Sequence, residues 1–197
     1  MKLPTLLGLL LLLVALGLGV ALYFFREDLL TKQQVVFAPL KIEVANISDN
    51  SSTIIWQTQE QAFGDVLLKE NSSSIEVLPD DRDGKDPKKR FTHFVTLKNL
   101  KPNTKYSFKV RNNNLHYPKD FQEFKTTSAF DKDFREEKPV IGTVIGKDSK
   151  PVDEAVVLFK IDGATKLAVF TNPTGNFIIL IKNLYTEDLS DLNQKLM

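Results

Sequence analysis

The sequence predicts an all-β protein behind an N-terminal transmembrane helix, with one β-sandwich followed by a second, smaller β-sandwich unit that is short of strands. Three observations support this fold class. An uncharged apolar run opens the chain, short runs rich in Val, Ile, Thr, Phe and Tyr follow between clusters of turn residues, and no cysteine is present among 197 residues. Such runs between turn residues are typical of β-strands, and the absence of cysteine excludes disulfides and thiolate chemistry.

The charge balance favours no class of partner. Lys and Arg total 26 against 25 Asp and Glu, which gives a net charge of +1. A nucleic-acid-binding domain normally carries a clear basic excess, so we expect no nucleic-acid partner. At 42% hydrophobic and 26% charged residues, the composition is that of a folded protein rather than a disordered one.

The first element is the run Leu3–Phe25, 23 residues without a charge. A helix rises about 1.5 Å per residue, so this run is long enough to cross a hydrocarbon core of roughly 30 Å. A cleaved signal peptide is the alternative, with a small-residue site at Gly19–Ala21, but its apolar region is usually only about 7–15 residues long. Aromatic residues at Tyr23–Phe25 also favour an uncleaved anchor, and Lys2 favours a cytoplasmic amino end. We therefore expect the membrane to be bound through residues 3–25.

Residues 26–38 are predicted to form a juxtamembrane spacer, and residues 39–127 a β-sandwich. In the sixth predicted strand, Tyr106, Phe108 and Val110 alternate with polar residues, so one face is expected in the core and the other in water. The seven predicted strands are Leu40–Ile47, Ser52–Thr58, Asp65–Glu70, Ser74–Leu78, Phe91–Leu97, Lys105–Asn112 and Phe121–Thr127.

The segment "LKNLKPNTKYSFKV" (Leu97–Val110) resembles the fibronectin type III pattern, through Leu100, Pro102, Thr104 and Tyr106. The resemblance implies a tyrosine corner at Tyr106 and a core position between the sheets for Trp56, the only tryptophan. A stacking platform for a sugar or base is the less favoured role for Trp56. The predicted structural core residues of this sandwich are Trp56, Leu100, Pro102, Tyr106 and Phe108.

A narrower resemblance is carried by "IEVANISDNSSTIIWQT" and "THFVTLKNLKPNTKYSFKV". Together they are similar to the fibronectin-like domain at the amino end of purple acid phosphatases, in which a catalytic domain with a two-metal site follows. This chain has only His93 and His116, and it carries no metal-ligand motif of that family after Thr127. We therefore predict no catalytic, cofactor-binding or metal-binding residues, and no enzyme activity.

A charged linker is predicted at residues 128–139, followed by a second β unit at residues 140–182. This unit resembles a carboxypeptidase regulatory-like, transthyretin-like domain, through Gly142, Val144, Pro151 and the Gly175–Phe177 segment, where Gly175 and Phe177 are assigned structural roles. Its predicted strands are Val140–Ile145, Ala155–Ile161, Leu167–Thr171 and Asn176–Ile181.

The family usually has further strands after this point, whereas residues 183–197 predict a short helix with leucines at positions 189, 192 and 196. Three explanations stay open: the helix covers the open edge, a partner supplies a strand, or the chain is a fragment of a longer protein.

Two groups of side chains suggest a calcium site and an intramolecular covalent bond. Four aspartates in "LPDDRDGKDPKKR" (Leu78–Arg90) suggest a calcium loop, but aligning Gly84 with the loop glycine puts Pro79 and Arg90 at ligand positions, so a solvated loop is favoured. Lys160 suggests an intramolecular isopeptide bond, which needs a desolvated lysine beside an acid and a late-strand asparagine. The missing late strand argues against that bond.

These observations predict a single-pass protein of the cell membrane whose C-terminal domains are extracytoplasmic. We expect a binding or structural module that recognises an extracellular protein or glycan, without a cofactor. The alternatives are an accessory N-terminal portion of a surface hydrolase, metallophosphatase-like, and a soluble secreted module released by cleavage after Ala21. Sandwich folds host many functions, so the fold alone does not choose among them.

Overall fold

The computed structural model describes residues 3–70, 74–129, 139–181 and 184–189. It begins with one helix, α1 (Leu3–Val36), of 34 residues. Within it, Leu7–Lys32 has a mean hydropathy of 2.6 and is 0% buried, so α1 is long and apolar enough to cross a bilayer. The predicted apolar run and most of the predicted spacer therefore form one continuous helix.

Seven strands follow α1 and form two antiparallel sheets of a sandwich. The sheets have the strand orders β1–β2–β5 and β4–β3–β6–β7. The strand pairing is irregular between Gln57 and Ala62 of β2 and opposite Phe108–Val110 of β6. Across these irregularities β2 continues past its predicted last residue, and β7 begins before its predicted first residue. The strands are β1 (Lys41–Ala45), β2 (Ser52–Ala62), β3 (Gly64–Glu70), β4 (Glu76–Pro79), β5 (Arg90–Leu97), β6 (Lys105–Asn112) and β7 (Leu115–Lys125).

The core of this first sandwich lies between the two sheets and is filled by alternate residues of facing strands. Trp56 from β2 and Phe108 from β6 are among its largest fully buried side chains. Because β-strand side chains alternate between faces, each strand contributes every second residue to this core. Its buried members are Ile54, Trp56, Val66, Leu68, Val95, Leu97, Leu100, Tyr106, Phe108, Val110 and Phe124.

The second unit is made of two short antiparallel strand pairs. β8 (Pro139–Thr143) pairs with β11 (Asn176–Leu180), and β9 (Val156–Phe159) pairs with β10 (Leu167–Phe170). Four residues of its own cluster are buried, and six others are only partly buried. This unit therefore has a smaller and more open core than the first sandwich.

The β9–β10 pair packs on the outer face of the β1–β2–β5 sheet. Phe94 of β5 contacts Phe170 of β10 with ring centroids 4.2 Å apart, and Ala45 and Ile55 are buried in the same cluster. The alternation predicted for the sixth strand is present in β6, whereas in β2 the segment Ser52–Trp56 is buried at every position. A strand covered on both faces loses the alternation of an exposed one.

Residues 184–189 are not helical, which differs from the predicted helical tail. Thr186 forms a β-bridge with Ala164, Tyr185 is 2% exposed, and Leu189 has a positive φ of 64°. Backbone pairing with the second unit replaces the helix here, since the Thr165 amide donates to the Tyr185 carbonyl at 2.8 Å. The rest of that predicted tail, residues 190–197, and most of the predicted linker, residues 130–138, lie outside the described residues.

Candidate functional site

Trp56 is 1% exposed and therefore offers no surface for stacking a sugar or base. Its indole nitrogen donates a hydrogen bond to Asn112 Oδ1 at 2.7 Å. The Asn112 amide group in turn donates to the Phe37 carbonyl oxygen at 2.7 Å. Because α1 ends at Val36, this relay attaches the end of the apolar helix directly to the centre of the sandwich.

The other residues assigned to the first core divide into buried and exposed positions. Leu100, Tyr106 and Phe108 are 7%, 4% and 0% exposed. The Tyr106 hydroxyl accepts a hydrogen bond from the Lys101 amide at 2.9 Å, which is the corner contact that the resemblance implies. Pro102 is exposed in the turn between β5 and β6 and does not belong to the core. Its fixed φ suits a turn rather than burial.

Gly175 and Phe177 hold the β10–β11 connection and the β8–β11 pair of the second unit. Gly175 has a φ of 73°, and a Cβ there would lie 2.6 Å from the Val144 carbonyl oxygen. Glycine tolerates both the positive φ and the close approach of the carbonyl oxygen because it lacks a Cβ. Phe177 is half-buried and its ring lies over Gly142, where a Cβ would approach the ring to 2.5 Å.

His93 is a fully buried histidine that the sequence analysis did not single out. Its ring stacks on Trp56, with centroids 4.7 Å apart and planes 20° from parallel. Strand β3 of the other sheet passes so close to His93 that a Cβ on Gly64 would lie 2.2 Å from His93 Nδ1. Among the described residues neither ring nitrogen has a hydrogen-bond partner, and the nearest carboxylate, that of Asp80, is 3.6 Å from Nδ1.

Three of the four aspartates of the β4–β5 loop accept hydrogen bonds from protein donors. The Asp80 carboxylate accepts from Arg82 Nε at 2.8 Å and from the Phe94 amide at 3.0 Å. Asp81 accepts from the Thr96 amide at 2.8 Å, and Asp83 pairs with Arg90. In the part of the chain that the structure describes, no group of three or more His, Asp or Glu residues is placed to hold a metal ion.

Asp80 organises this loop through its charge. Burial on its own would raise the pKa of this carboxyl group, but the Arg82 guanidinium and the Phe94 amide lower its pKa well below the ordinary value. Arg82 Nη2 also donates to the Thr92 carbonyl at 2.6 Å, and its guanidinium lies 4.8 Å from the Phe170 ring. One buried ion pair thus ties the loop to β5 and to the second unit.

A groove of about 400 Å³ lies at this end of the sandwich, between the β2–β3 turn and the β4–β5 loop. We call it the loop groove. The Phe63 side chain on its wall is 43% exposed, while the Phe63 amide donates to Asn113 Oδ1 at 3.1 Å. Its walls are largely apolar and its rim is acidic, with the residues Phe63, Gly64, Asp65, Pro79, Asp83, Asp86 and Pro87.

Polar contacts at the junction of the two units centre on Glu43 and Asn46. Glu43 is 7% exposed and contacts Lys160 Nζ at 3.0 Å, together with Lys41 and Lys166. Burial alone would raise the pKa of Glu43, but these three ammonium groups lower it to about 2. The Asn46 side chain bonds both backbone groups of Ala168, at 2.9 Å each.

These contacts also bear on the isopeptide hypothesis for Lys160. The Lys160 side chain is 46% exposed and forms an ion pair with Glu43. It therefore lacks the desolvated setting that the bond requires.

Residues 39–128 match the family model described as the purple acid phosphatase N-terminal domain. The first sandwich is therefore similar to that domain and has a fibronectin III-like fold. Among curated proteins no match is found. The likeness of residues 140–182 to a carboxypeptidase regulatory-like domain stays a prediction.

Solved structures with a similar fold include bacterial and vertebrate proteins. The sensor domain of the anti-sigma factor RsgI4 of Pseudobacteroides cellulosolvens is 27% identical, with 47% of this chain and 98% of that chain covered and a TM-score of 0.35. The FN1-FN3 domains of chicken CNTN1 are 13% identical, with 73% and 55% covered and a TM-score of 0.36. The central fibronectin-III array of RIM-binding protein is 16% identical, with 79% and 58% covered and a TM-score of 0.33. At these TM-scores the likenesses do not bear on function.

Proposed function

We propose that the protein is a single-pass module of the cell membrane that presents its two β units outside the cytoplasm for binding. The observation that carries this proposal is the unburied apolar helix Leu7–Lys32, whose end is bonded to the sandwich through Phe37 and Asn112. A helix of this length satisfies its own backbone hydrogen bonds in lipid. The attachment keeps the β units close to the membrane rather than on a loose tether.

The anchored orientation follows from the residues that flank the apolar run. Lys2 and the α-amino group precede it, and we take the amino end as cytoplasmic by the positive-inside rule. The aromatic residues Tyr23–Phe25 then lie at the outer interface, where such rings are enriched. The part of α1 beyond them, up to Val36, forms a helical stalk of about 16 Å.

Recognition of a protein or glycan is assigned to the loop groove. Its exposed Phe63 ring offers apolar contact area, and the Lys89 ammonium lies 5.4 Å from the centroid of that ring. The loops that form the groove are held by the Asp80 ion pair and by Asn113, so the surface is ordered before a ligand arrives. Such preorganisation lowers the entropic cost of binding.

A second candidate function is that of an accessory portion of a surface metallophosphatase, and the match of residues 39–128 to an enzyme's N-terminal domain favours it. This alternative predicts that the protein co-purifies from native membranes with a phosphatase activity that a chelator removes. Purification without such activity would favour the binding module alone.

The absence of cysteine permits a direct test of the anchored topology. We would introduce Lys98→Cys, which is exposed in the β5–β6 turn, and treat intact cells with a membrane-impermeant maleimide. Labelling of Lys98→Cys in the membrane fraction is expected. A matched variant, Val14→Cys, lies within the apolar helix and should react only after detergent is added.

Each other outcome has a definite meaning. Labelling of Lys98→Cys only after lysis would reverse the topology and exclude extracytoplasmic binding. Recovery of labelled Lys98→Cys protein from the medium would instead show a secreted module. In that case the protein recovered from Val14→Cys cells should carry no cysteine, because cleavage of α1 removes position 14.

A further inference from the structure

The outer face of the β4–β3–β6–β7 sheet carries an excess of positive charge. Val66, Phe108, Val110 and Phe124 of this sheet point into the core, so the alternate residues of β3, β6 and β7 point outward. Five of the outward residues are basic and two are acidic. We call this surface the basic face, and its charged residues are Asp65, Lys69, Lys105, Lys109, Arg111, Glu123 and Lys125.

Two of these lysines are held in place by an aromatic ring. Lys69 Nζ lies 4.2 Å and Lys109 Nζ 4.7 Å from the centroid of Phe121. Lys69 pairs with Ser107 across β3 and β6, and the small serine side chain lets Lys69 extend over β6 to the Phe121 ring on β7. Cation–π contacts of this kind restrain both ammonium groups above the sheet.

The carboxylates on the basic face are already engaged. Asp65 accepts from Arg111 Nε at 2.9 Å, and Glu123 pairs with Lys105 at 2.9 Å. Within the described ranges, Lys69, Lys109 and Lys125 have no carboxylate within 4.0 Å. Lys109 Nζ also donates a hydrogen bond to the Lys119 carbonyl oxygen, which is neutral, so the positive charge of these three lysines is not compensated by a carboxylate.

The basic face is also open, in contrast to the opposite sheet. The second unit covers the outer face of β1–β2–β5, whereas the side chains of Lys105, Glu123 and Lys125 are exposed. Neighbouring strands are about 4.8 Å apart, so the basic groups of β3, β6 and β7 are spread over the width of three strands rather than around a pocket. Charges spread in this way suit an extended polyanion better than a single small anion.

We propose that the basic face binds a linear acidic polysaccharide that carries a carboxylate on each sugar. The exposed outer face of β6 and β7 accommodates a chain, and Lys69 and Lys109 supply the positive charge for its anionic groups. A single-stranded nucleic acid is a poorer fit, because binding by base stacking needs free aromatic faces and the Phe121 ring is occupied by two ammonium groups. This site shares Asp65 with the loop groove, but Lys69, Lys109 and Phe121 do not line that groove, so the proposal does not depend on the proposed function.

The test uses the full-length protein in detergent micelles and fluorescein-labelled polygalacturonate, with binding followed by anisotropy at low salt. The double variant Lys69→Gln/Lys109→Gln is expected to bind about thirtyfold more weakly, since each lysine near an anionic surface contributes about 1 kcal/mol and about 1.4 kcal/mol is a factor of ten. The matched control Lys147→Gln/Lys150→Gln removes the same charge from an exposed turn of the second unit and should bind like the parent. Phe121→Leu keeps every charge but frees the lysines, and a loss of about threefold is expected.

Three results would overturn the proposal. They are parent protein that does not bind polygalacturonate at low salt, equal losses in the two double variants, and tighter binding of single-stranded DNA or inorganic polyphosphate than of polygalacturonate. Neutral pullulan, which has no anionic groups, serves as the ligand control and should not bind. This experiment measures binding by purified protein in micelles, whereas the topology test measures labelling on intact cells. A failure of one is therefore distinguishable from a failure of the other.

Discussion

The two β units of this protein differ in how they obtain a core. The first sandwich encloses its own, with Trp56 and His93 stacked and fully buried between two sheets of three and four strands. In the described residues, the second unit has two pairs of strands, and part of its apolar surface, including Phe170, is buried against Ile55 and Phe94 of the first. The comparison teaches that a small β unit can take its missing layer from a neighbouring domain.

The same difference explains why the junction combines an apolar cluster with charged groups. The apolar contacts of Phe94 and Phe170 supply burial, while Glu43 and Asn46 define how β10 lies on β1. A polar contact at an interface fixes orientation because its geometry is narrow, whereas apolar contact is non-directional. The second unit is therefore expected to be the less stable of the two when the junction is weakened.

The largest effect is expected from Trp56→Ala in the first core. Removing a fully buried tryptophan should lower the free energy of unfolding by about 3–5 kcal/mol, whereas Phe177→Ala in the half-buried second core should cost roughly 1–2 kcal/mol. Urea unfolding of the detergent-solubilised full chain, followed by circular dichroism, measures both. The loss in the free energy of unfolding for Trp56→Phe, which keeps a ring but loses the hydrogen bond to Asn112, should fall between these two values. Equal losses for Trp56→Ala and Phe177→Ala would contradict the difference between the two cores.

An intermediate effect is expected from adding one methyl group at a close approach in each unit. Gly64→Ala places a Cβ 2.2 Å from the enclosed His93 ring, and Gly142→Ala places one 2.5 Å from the far edge of the Phe177 ring. His93 is fully buried and cannot move away, so Gly64→Ala should cost about 1–3 kcal/mol, while the half-buried Phe177 can shift and keep the cost of Gly142→Ala below about 1 kcal/mol.

Trp56 fluorescence measures this difference, since the only tryptophan reports on the first sandwich. Its urea midpoint should fall in Gly64→Ala and stay close to the parent value in Gly142→Ala. Gly84→Ala, where a Cβ would meet nothing within 4 Å, serves as the neutral control. A circular-dichroism midpoint of the whole chain that falls further in Gly142→Ala than in Gly64→Ala would show that the second unit is the tighter of the two.

The smallest effect is expected from the charges at the junction. The pKa of Glu43 is lowered from 4.5 to about 2 in the folded protein. Its stabilising contribution is therefore fully present above pH 4.5 and is lost as the pH falls from about 4.5 to about 2. Because the three lysines are partly exposed, we expect a contribution on the order of 1 kcal/mol.

The measurement compares the urea midpoints of the parent and Glu43→Gln at pH 6 and at pH 2.5. The gap between them should be present at pH 6 and should shrink at pH 2.5. Asp80, whose pKa is also lowered, titrates in both proteins and so cancels from the difference. A gap of the same size at both pH values would rule out an electrostatic role for Glu43.

Much of the architecture follows from local pattern. An uncharged run of 23 residues predicts a helix long enough to cross a membrane, and alternation in Lys105–Asn112 predicts which residues enter the core. Such patterns are informative because helix and strand periodicities depend only on neighbouring residues. The turn glycine and the tyrosine corner are local in the same sense.

Coverage of the β1–β2–β5 sheet by the second unit was missed, although the sequence holds a signal for it. The run "STIIW" (Ser52–Trp56) lacks strict alternation, which is typical of a strand buried on both faces. What the run does not reveal is the segment that covers it. That partner, Phe170, follows more than a hundred residues later in the chain.

The sequence by itself determined the apolar helix and the strands of the first sandwich, because these depend on composition and periodicity within short segments. The central place of Trp56 was implied by the resemblance to the fibronectin type III pattern. Only the tertiary structure decided that the loop aspartates bind arginines and amides, that Asn112 holds the end of α1, and that two lysines share the Phe121 ring. A charged or polar side chain can pair with any complementary group that the fold brings near. Its partner is therefore set by three-dimensional proximity between distant segments, which no local pattern records.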